Sequence, residues 1–213
     1  PVASWSSLDY FGRWKALHYV ARRFYAPVLL SIEDAPPQQG LYVTNDTTDV
    51  WHGRIQWSLE TLDGAQVDSG EAAVAVAPLA TAHVQTLDFS EQVTDDNRRN
   101  LIFVAELWQG ETYVARQTAY FAPTKHLQLR EPQATAVCRT ERDQLVINLS
   151  SRTLARLVEL ALDGADVVFS DNYFDLVNGR TVTITCPLPD GWDLAQAEAA
   201  LQIRSVFESF TAV

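Results

Sequence analysis

Between residues 50 and 62 the chain alternates in character. Trp51, Ile55, Trp57 and Leu59 share one parity, and His52, Arg54, Gln56, Ser58 and Glu60 share the other. Successive side chains on a strand point to opposite faces, so this stretch predicts a half-buried strand with a wet face. Asp63-Gly64 follows, and glycine accepts the positive φ that a tight hairpin turn requires, so residues 66–76 return alongside. Further apolar stretches at 28–32, 41–44, 82–89, 100–108 and 112–121 are separated by polar turns such as Asn45-Asp46-Thr47-Thr48-Asp49 and Gln109-Gly110-Glu111. About seven short strands with no helix between them predict an immunoglobulin-type sandwich over residues 28–123.

A second β series occupies 134–140, 144–150, 154–162, 167–170, 180–186 and 201–208, with Asp163-Gly164 and Asn178-Gly179 as turn dipeptides and a short helical turn over 193–200. It predicts a second sandwich over 124–213, joined to the first by a connector over 123–129. Residues 4–27 differ. Ser6 or Ser7 can cap a helix start and Pro27 marks an end. On a helical wheel Tyr10, Phe11, Trp14, Leu17, His18, Ala21, Phe24 and Tyr25 share one arc, bordered by Arg13, Lys15 and Arg22. So aromatic a helix needs covering, either by the first sandwich or by a second copy of the chain. The expected fold class is therefore all-β: two tandem immunoglobulin-like β-sandwiches preceded by one α-helix.

Charge narrows the partners. The net charge is −11, yet residues 1–30 carry four basic and one acidic residue, whereas 31–123 carry four basic and fourteen acidic. This asymmetry suggests that the basic helix docks on the acidic middle segment. The acidic balance disfavours nucleic acid, which needs basic stripes, and no apolar run is long enough for a membrane helix. Cys138 and Cys186 are too few for a disulfide framework; two buried thiols are favoured over one bridge. His18, His52, His83 and His126 are scattered without metal-ligand spacing, and no cofactor is expected.

Two stretches carry a resemblance. Trp5-Ser6-Ser7-Leu8-Asp9-Tyr10-Phe11-Gly12-Arg13-Trp14-Lys15-Ala16-Leu17-His18-Tyr19 resembles the end of the catalytic barrel in β-mannosidases of glycoside hydrolase family two. Ser170-Asp171-Asn172-Tyr173-Phe174-Asp175-Leu176 resembles a motif of the last sandwich domain in the same family, with Asn178 where a proline often stands. The resemblance implies that the helix over 1–27 is the last outer helix of a TIM barrel. The chain is then the C-terminal region of an enzyme that hydrolyses terminal non-reducing β-D-mannose residues. Such retaining enzymes use two carboxyl groups about 5–5.5 Å apart. In the family both glutamates lie upstream of the matched stretches, so no catalytic residue is assigned and the chain alone is expected to be inactive. The implied partner is the catalytic barrel of the same parent chain, which this region braces. The compartment is left open, with the cytoplasm slightly favoured.

Local carboxylates are weaker candidates for chemistry. Asp95-Asp96, Glu33-Asp34 and Asp171 are the candidates; Asp95 and Asp96, in a polar loop, read as solvated, and Asp171 and Asp175, flanking two aromatics, read as backbone-bonding residues. There is no Gly-x-Ser-x-Gly elbow and no glycine-rich phosphate loop. The rival function is a carbohydrate-binding module for mannan-type polysaccharide, with Trp108 and Tyr113 flanking the Gln109-Gly110-Glu111 turn as the ligand platform. Trp51 and Trp57 read as core and Trp192 as an interface residue. Trp14, His18, Asp171 and Tyr173 are the candidate domain-interface residues, with His18 a hydrogen-bonded structural histidine.

Overall fold

The computed structural model describes residues 6–211. Chain contacts divide it into two compact units, one of residues 24–129 and one of residues 1–23 together with 130–213. The sequence set residues 1–27 apart and placed boundaries at 28 and 124. In the structure the first segment is grouped with the last.

The 24–129 unit is a two-sheet sandwich. β1 (Val28–Ala35), β2 (Gln38–Asn45) and β5 (Ala80–Asp88) form one sheet in the order β1-β2-β5. β3 (Trp51–Thr61), β4 (Gln66–Val76), β6 (Leu101–Gln109) and β7 (Thr112–Tyr120) form the other, in the order β4-β3-β6-β7. All pairs are antiparallel. The core runs between the sheets, with Leu30, Leu41 and Val43 on one side and Ile55, Leu59, Phe103 and Leu107 on the other. Phe89 and Phe103 meet at 5.4 Å between ring centroids, and Trp57 lies 5.9 Å from Phe89. Trp51 is buried and Trp57 packs against this core, as their parity predicts. Two glycines make room for those indoles. A Cβ on Gly53 would sit 2.1 Å from the Trp51 ring, and one on Gly70 would sit 2.5 Å from the Trp57 ring. The wet face of β3 is only partly wet: Arg54 and Gln56 are half-buried, but Ser58 and Glu60 are buried beside Ile102 and Val104 of β6. The sheet's outer face is dry at that end, and a parity rule read along one strand cannot see its neighbours.

In the second unit, β8 (Thr135–Glu141), β9 (Gln144–Ser150) and β12 (Val182–Pro187) form one sheet, in the order β12-β9-β8. β10 (Ala155–Leu162), β11 (Phe174–Leu176) and β13 (Leu201–Arg204) form the other, in the order β11-β10-β13. The helix α2 (Leu194–Ala200) opens on a capping box between Asp193 and Gln196, which explains the helical signal there. A short helix, α3 (Glu208–Thr211), follows β13. Residues 167–170, expected as a strand, are irregular, and β11 was not foreseen. β10 carries a bulge. Ala155 pairs with Leu176 and Val158 with Phe174, so one residue is extra, and Leu157 takes a φ of +51°. Cys138 and Cys186 are free thiols on β8 and β12, opposite Ile147 and Leu145 of the intervening β9.

The long N-terminal helix is a correction. Only α1 (Ala16–Phe24) is helical. Upstream of it Gly12 takes a φ of +81°, and the Asp9 carboxylate accepts the amides of Phe11 (2.8 Å) and Arg13 (2.9 Å). The chain therefore reverses: Leu8 bridges Trp14, and the Lys15 amide donates to Ser7 O at 3.0 Å. An aspartate that bonds its own backbone outcompetes a helix here. Residues 1–5, including Trp5, lie outside the described region.

Candidate functional site

The α1 segment sits on the 130–213 sandwich through one buried ring. Tyr19, off the predicted arc, is 3% exposed and belongs to that sandwich's core cluster. Its hydroxyl oxygen accepts the Phe169 amide at 3.3 Å, and burial pushes the phenol's pKa up. The predicted arc is covered only in part. Tyr10 is 85% and Tyr25 80% exposed, and Phe11, Leu17 and Phe24 are also exposed. Trp14, His18 and Ala21 of the same arc are half-buried. The reversal at Gly12 splits Tyr10 and Phe11 from the helix, and the helix turns Tyr19 inward.

Two arginines close the attachment. Arg22 Nη1 donates to Ser170 O at 2.9 Å. Arg23 donates to Asp171 Oδ1 at 2.5 Å, Asn172 O at 2.9 Å and Tyr173 O at 3.0 Å. Both lie in the last turn of α1, where cations complement the helix dipole. The two arginines of the helix thus bond to the loop at 170–173 of their own unit.

The acceptor loop is built residue by residue. Ser170 Oγ accepts the Thr185 amide at 2.9 Å, and the Ser170 amide donates to Thr185 O. Asp171 Oδ1 also accepts the Asn172 amide at 2.8 Å. Asn172 is buried, and its side-chain amide imitates a strand: Oδ1 accepts the Leu160 amide (2.8 Å) and Nδ2 donates to Leu160 O (2.9 Å). Tyr173 stands in the left-handed region at φ +56°. Its hydroxyl donates to Glu159 Oε1 at 2.8 Å; burial first, then this carboxylate, pushes its pKa well up. Asp175 holds the β10 bulge, accepting the Leu157 amide at 2.9 Å and pairing with Arg156 at 3.1 Å. Both aspartates therefore bond backbone.

Of the interface candidates, all four lie in this unit. Trp14 contacts His18 at 4.2 Å and Tyr19 at 5.1 Å between ring centroids, and His18 Nδ1 is 2.9 Å from Ser7 Oγ. Asp171 and Tyr173 receive α1 from the other side. Sequence reasoning missed Arg23 and Glu159, and it assigned no interface role to Tyr19 or Asn172, although both lie inside the quoted motifs. A groove of about 660 Å³ opens between the 9–19 segment and β10, walled by Trp14, Tyr19, Tyr173 and Glu159, with Arg13 and Asp166 at its rim.

The platform candidates lie in the 24–129 unit. Trp108 is half-buried and Tyr113 is 47% exposed, with ring centroids 5.6 Å apart at a steep angle. Arg54 Cζ lies 5.8 Å from the Trp108 ring, and Arg116 Cζ lies 5.7 Å from that of Tyr113. Arg116 is in turn paired with Glu106 at 2.7 Å, and Arg54 bonds Gly110 O and approaches Glu71 at 3.4 Å. Each ring is thus already engaged by a guanidinium. Other candidate carboxylates are accounted for singly: Glu33 accepts the Tyr42 hydroxyl, Asp34 accepts Gln39 Nε2, and Asp95 pairs with Arg98. Among the described residues no group of three His, Cys, Asp or Glu side chains is placed to hold a metal ion, and no helix is long and apolar enough to cross a membrane.

Comparison with known proteins follows the same division. Residues 39–126 match the family model described as a mannosidase Ig/CBM-like domain, and residues 129–209 match that of an Ig-fold domain. β-Mannosidase A of Aspergillus terreus is 26% identical over 194 residues, covering 83% of this chain and 21% of that protein. β-Mannosidase B of Thermothelomyces thermophilus is 26% identical over 205 residues, covering 86% of this chain and 24% of that protein. The chain thus spans between a fifth and a quarter of these relatives. The crystal structure of β-D-mannosidase from Dictyoglomus thermophilum superimposes with a TM-score of 0.80 at 21% identity, over 94% of this chain and 24% of that one. The exo-chitosanase of Amycolatopsis orientalis does so at 0.67 and 17% identity, over 94% and 28%.

Proposed function

Since the chain belongs to the mannosidase Ig/CBM-like and Ig-fold domain families, over residues 39–126 and 129–209, we propose that it is the non-catalytic C-terminal accessory region of a β-mannosidase. Its role is to brace a catalytic barrel that hydrolyses terminal non-reducing β-D-mannose residues. The observation that carries this reading is the two-sided α1 segment. One side is fixed to the sandwich by Tyr19, Arg22 and Arg23. The other presents exposed Leu17, Val20, Phe24 and Tyr25. Large apolar side chains clustered on one exposed helix face mark a surface meant for a partner. The barrel of the parent chain is the partner that the resemblance of residues 5–19 supplies.

The test is direct. The chain alone releases no p-nitrophenol from p-nitrophenyl β-mannoside, whereas the chain continuous with its barrel does. Turnover by the isolated chain that survives repurification overturns the reading.

The rival, a carbohydrate-binding module centred on Trp108 and Tyr113, has the family description in its favour. Against it, Arg54 and Arg116 already lie over those rings, and the Trp108 indole N–H is buried without an acceptor among the described residues. Mannan titration followed by tryptophan fluorescence in wild type and Trp108→Phe separates the two.

A further inference from the structure

We propose that the groove between the 9–19 segment and β10 is a binding site for a neutral saccharide of one or two hexopyranose rings. The proposal rests on the preceding reading only for the choice of sugar; the groove's shape and chemistry carry the rest. Its volume of about 660 Å³ falls inside the range of roughly 300–1,000 Å³ typical of small-molecule sites.

One wall is aromatic. Trp14 and Tyr173, both half-buried, supply its rings, with the buried Tyr19 packed between them at centroid distances of 5.1 and 5.9 Å and tilted by 60° and 52°. Either half-buried ring matches the apolar C–H face of a pyranose, whose hydroxyls then point to the polar edge. That edge is supplied by Glu159, Arg13 and Asp166. Glu159 gives one oxygen to the Tyr173 hydroxyl, and its other oxygen meets no partner among the described residues. A carboxylate oxygen is a pure acceptor, and a sugar hydroxyl is the donor it lacks.

Charge selects for neutrality. Arg13 is held by Asp9 at 2.5 Å and by Asp166 at 3.7 Å. An anion entering the groove meets Glu159 and Asp166; a cation meets Arg13 and Lys15. A polyol meets donors and acceptors of both kinds without net repulsion.

Backbone strain points to the same place. Tyr173 stands at φ +56°, a region that disfavours L-residues. It is kept there by Asn172, Arg23 and Glu159. Residues held in sparsely populated backbone regions cluster at functional sites.

The experiment is a two-dimensional amide NMR titration of the full chain with mannobiose, with cellobiose and glycerol as comparison probes. Shifts are expected at the Trp14 indole, at Gly12 and at the amides of 159–166, saturating with a Kd of about 1 mM. Glu159→Gln keeps an acceptor for Tyr173, so the wall stands. This variant and Arg13→Ala are each expected to weaken binding at least about tenfold, the worth of one hydrogen bond to a charged group. Trp108→Phe leaves binding unchanged. Shifts that map to Trp108 and Tyr113, unaltered affinity in both groove variants, or glycerol matching mannobiose would each overturn the proposal. So would a flat titration with both disaccharides. None of these results bears on whether the chain braces a barrel, which p-nitrophenyl β-mannoside turnover tests separately.

Discussion

Arg23 and Asp171, 148 positions apart in sequence, meet at 2.5 Å, and the same guanidinium caps the carbonyls of Asn172 and Tyr173. One side chain thereby ties the last turn of α1 to the 170–176 stretch. Arg23→Ala removes three charge-assisted hydrogen bonds and is expected to cost on the order of 2 kcal/mol in the unfolding of the C-terminal unit. Hydrogen exchange should show faster amides across 16–24 with little change in β3 or β6. Arg23→Lys recovers only part of the loss, because an ammonium cannot fork between a carboxylate and two carbonyls.

Asn172 is the more severe position. Its amide takes the place of a strand along Leu160, so Asn172→Ala leaves a buried N–H and C=O without partners. The expected destabilisation is about 3 kcal/mol, read from urea unfolding. Asn172→Asp keeps the acceptor but loses the donor, and buries a charge as well. It should be no milder than alanine.

Gly53 and Gly70 are expected to resist even one added methyl. Gly53→Ala drives a Cβ toward the Trp51 ring and, at 2.4 Å, toward the Trp108 carbonyl oxygen, which is backbone and cannot rotate away. Gly70→Ala meets only the Trp57 ring. Both should lower the thermal midpoint of the first sandwich by overpacking worth about 1–3 kcal/mol, Gly53→Ala more than Gly70→Ala.

Cys186 should be chemically silent. Burial pushes its thiol pKa up to about 11, with a smaller push from Cys138. The thiolate is the reactive form, so at pH 8 a maleimide should label the native chain only slowly at Cys186 and label both cysteines at once in denaturant. Fast native labelling of Cys186 would mean that its thiol is not buried.

The reversal at Asp9 should respond to acid. Burial alone would raise its carboxyl pKa, but the amides of Arg13 and Phe11 and the Arg13 guanidinium outweigh it, and the net shift is downward. A depressed carboxylate stabilises the fold above its unfolded value and loses that contribution as pH falls through the folded one. The Phe11 and Arg13 amide resonances should therefore hold constant from neutral pH to the ordinary aspartate range and move only below it. Asp9→Asn should abolish that titration.

The two sandwiches were legible because strand alternation and turn dipeptides are local signals. Gly64, Gly164 and Gly179 take positive φ where their turns were expected, at 89°, 81° and 72°. The N-terminal stretch misled because periodicity alone favoured a helix through Gly12. The competing signal, an aspartate three residues before a glycine, was present but short. Tyr19 was placed off the apolar arc because a wheel drawn over residues 4–27 weights residues that are not helical. The roles of Asp171 and Asp175 could be guessed from their flanking aromatics. Glu159 could not, because its position depends on pairing with distant strands.

That dependence comes from Leu157. Before it, Ala155 faces the core; after it, Val158, Leu160 and Leu162 do. The inserted residue switches the strand's phase. Were it deleted, Glu159 would exchange sides with its apolar neighbours and sink into hydrocarbon. A chain that tolerates one left-handed leucine, braced by Asp175, thus gains an acid at the groove's edge. The location of that acid is written two residues upstream of it.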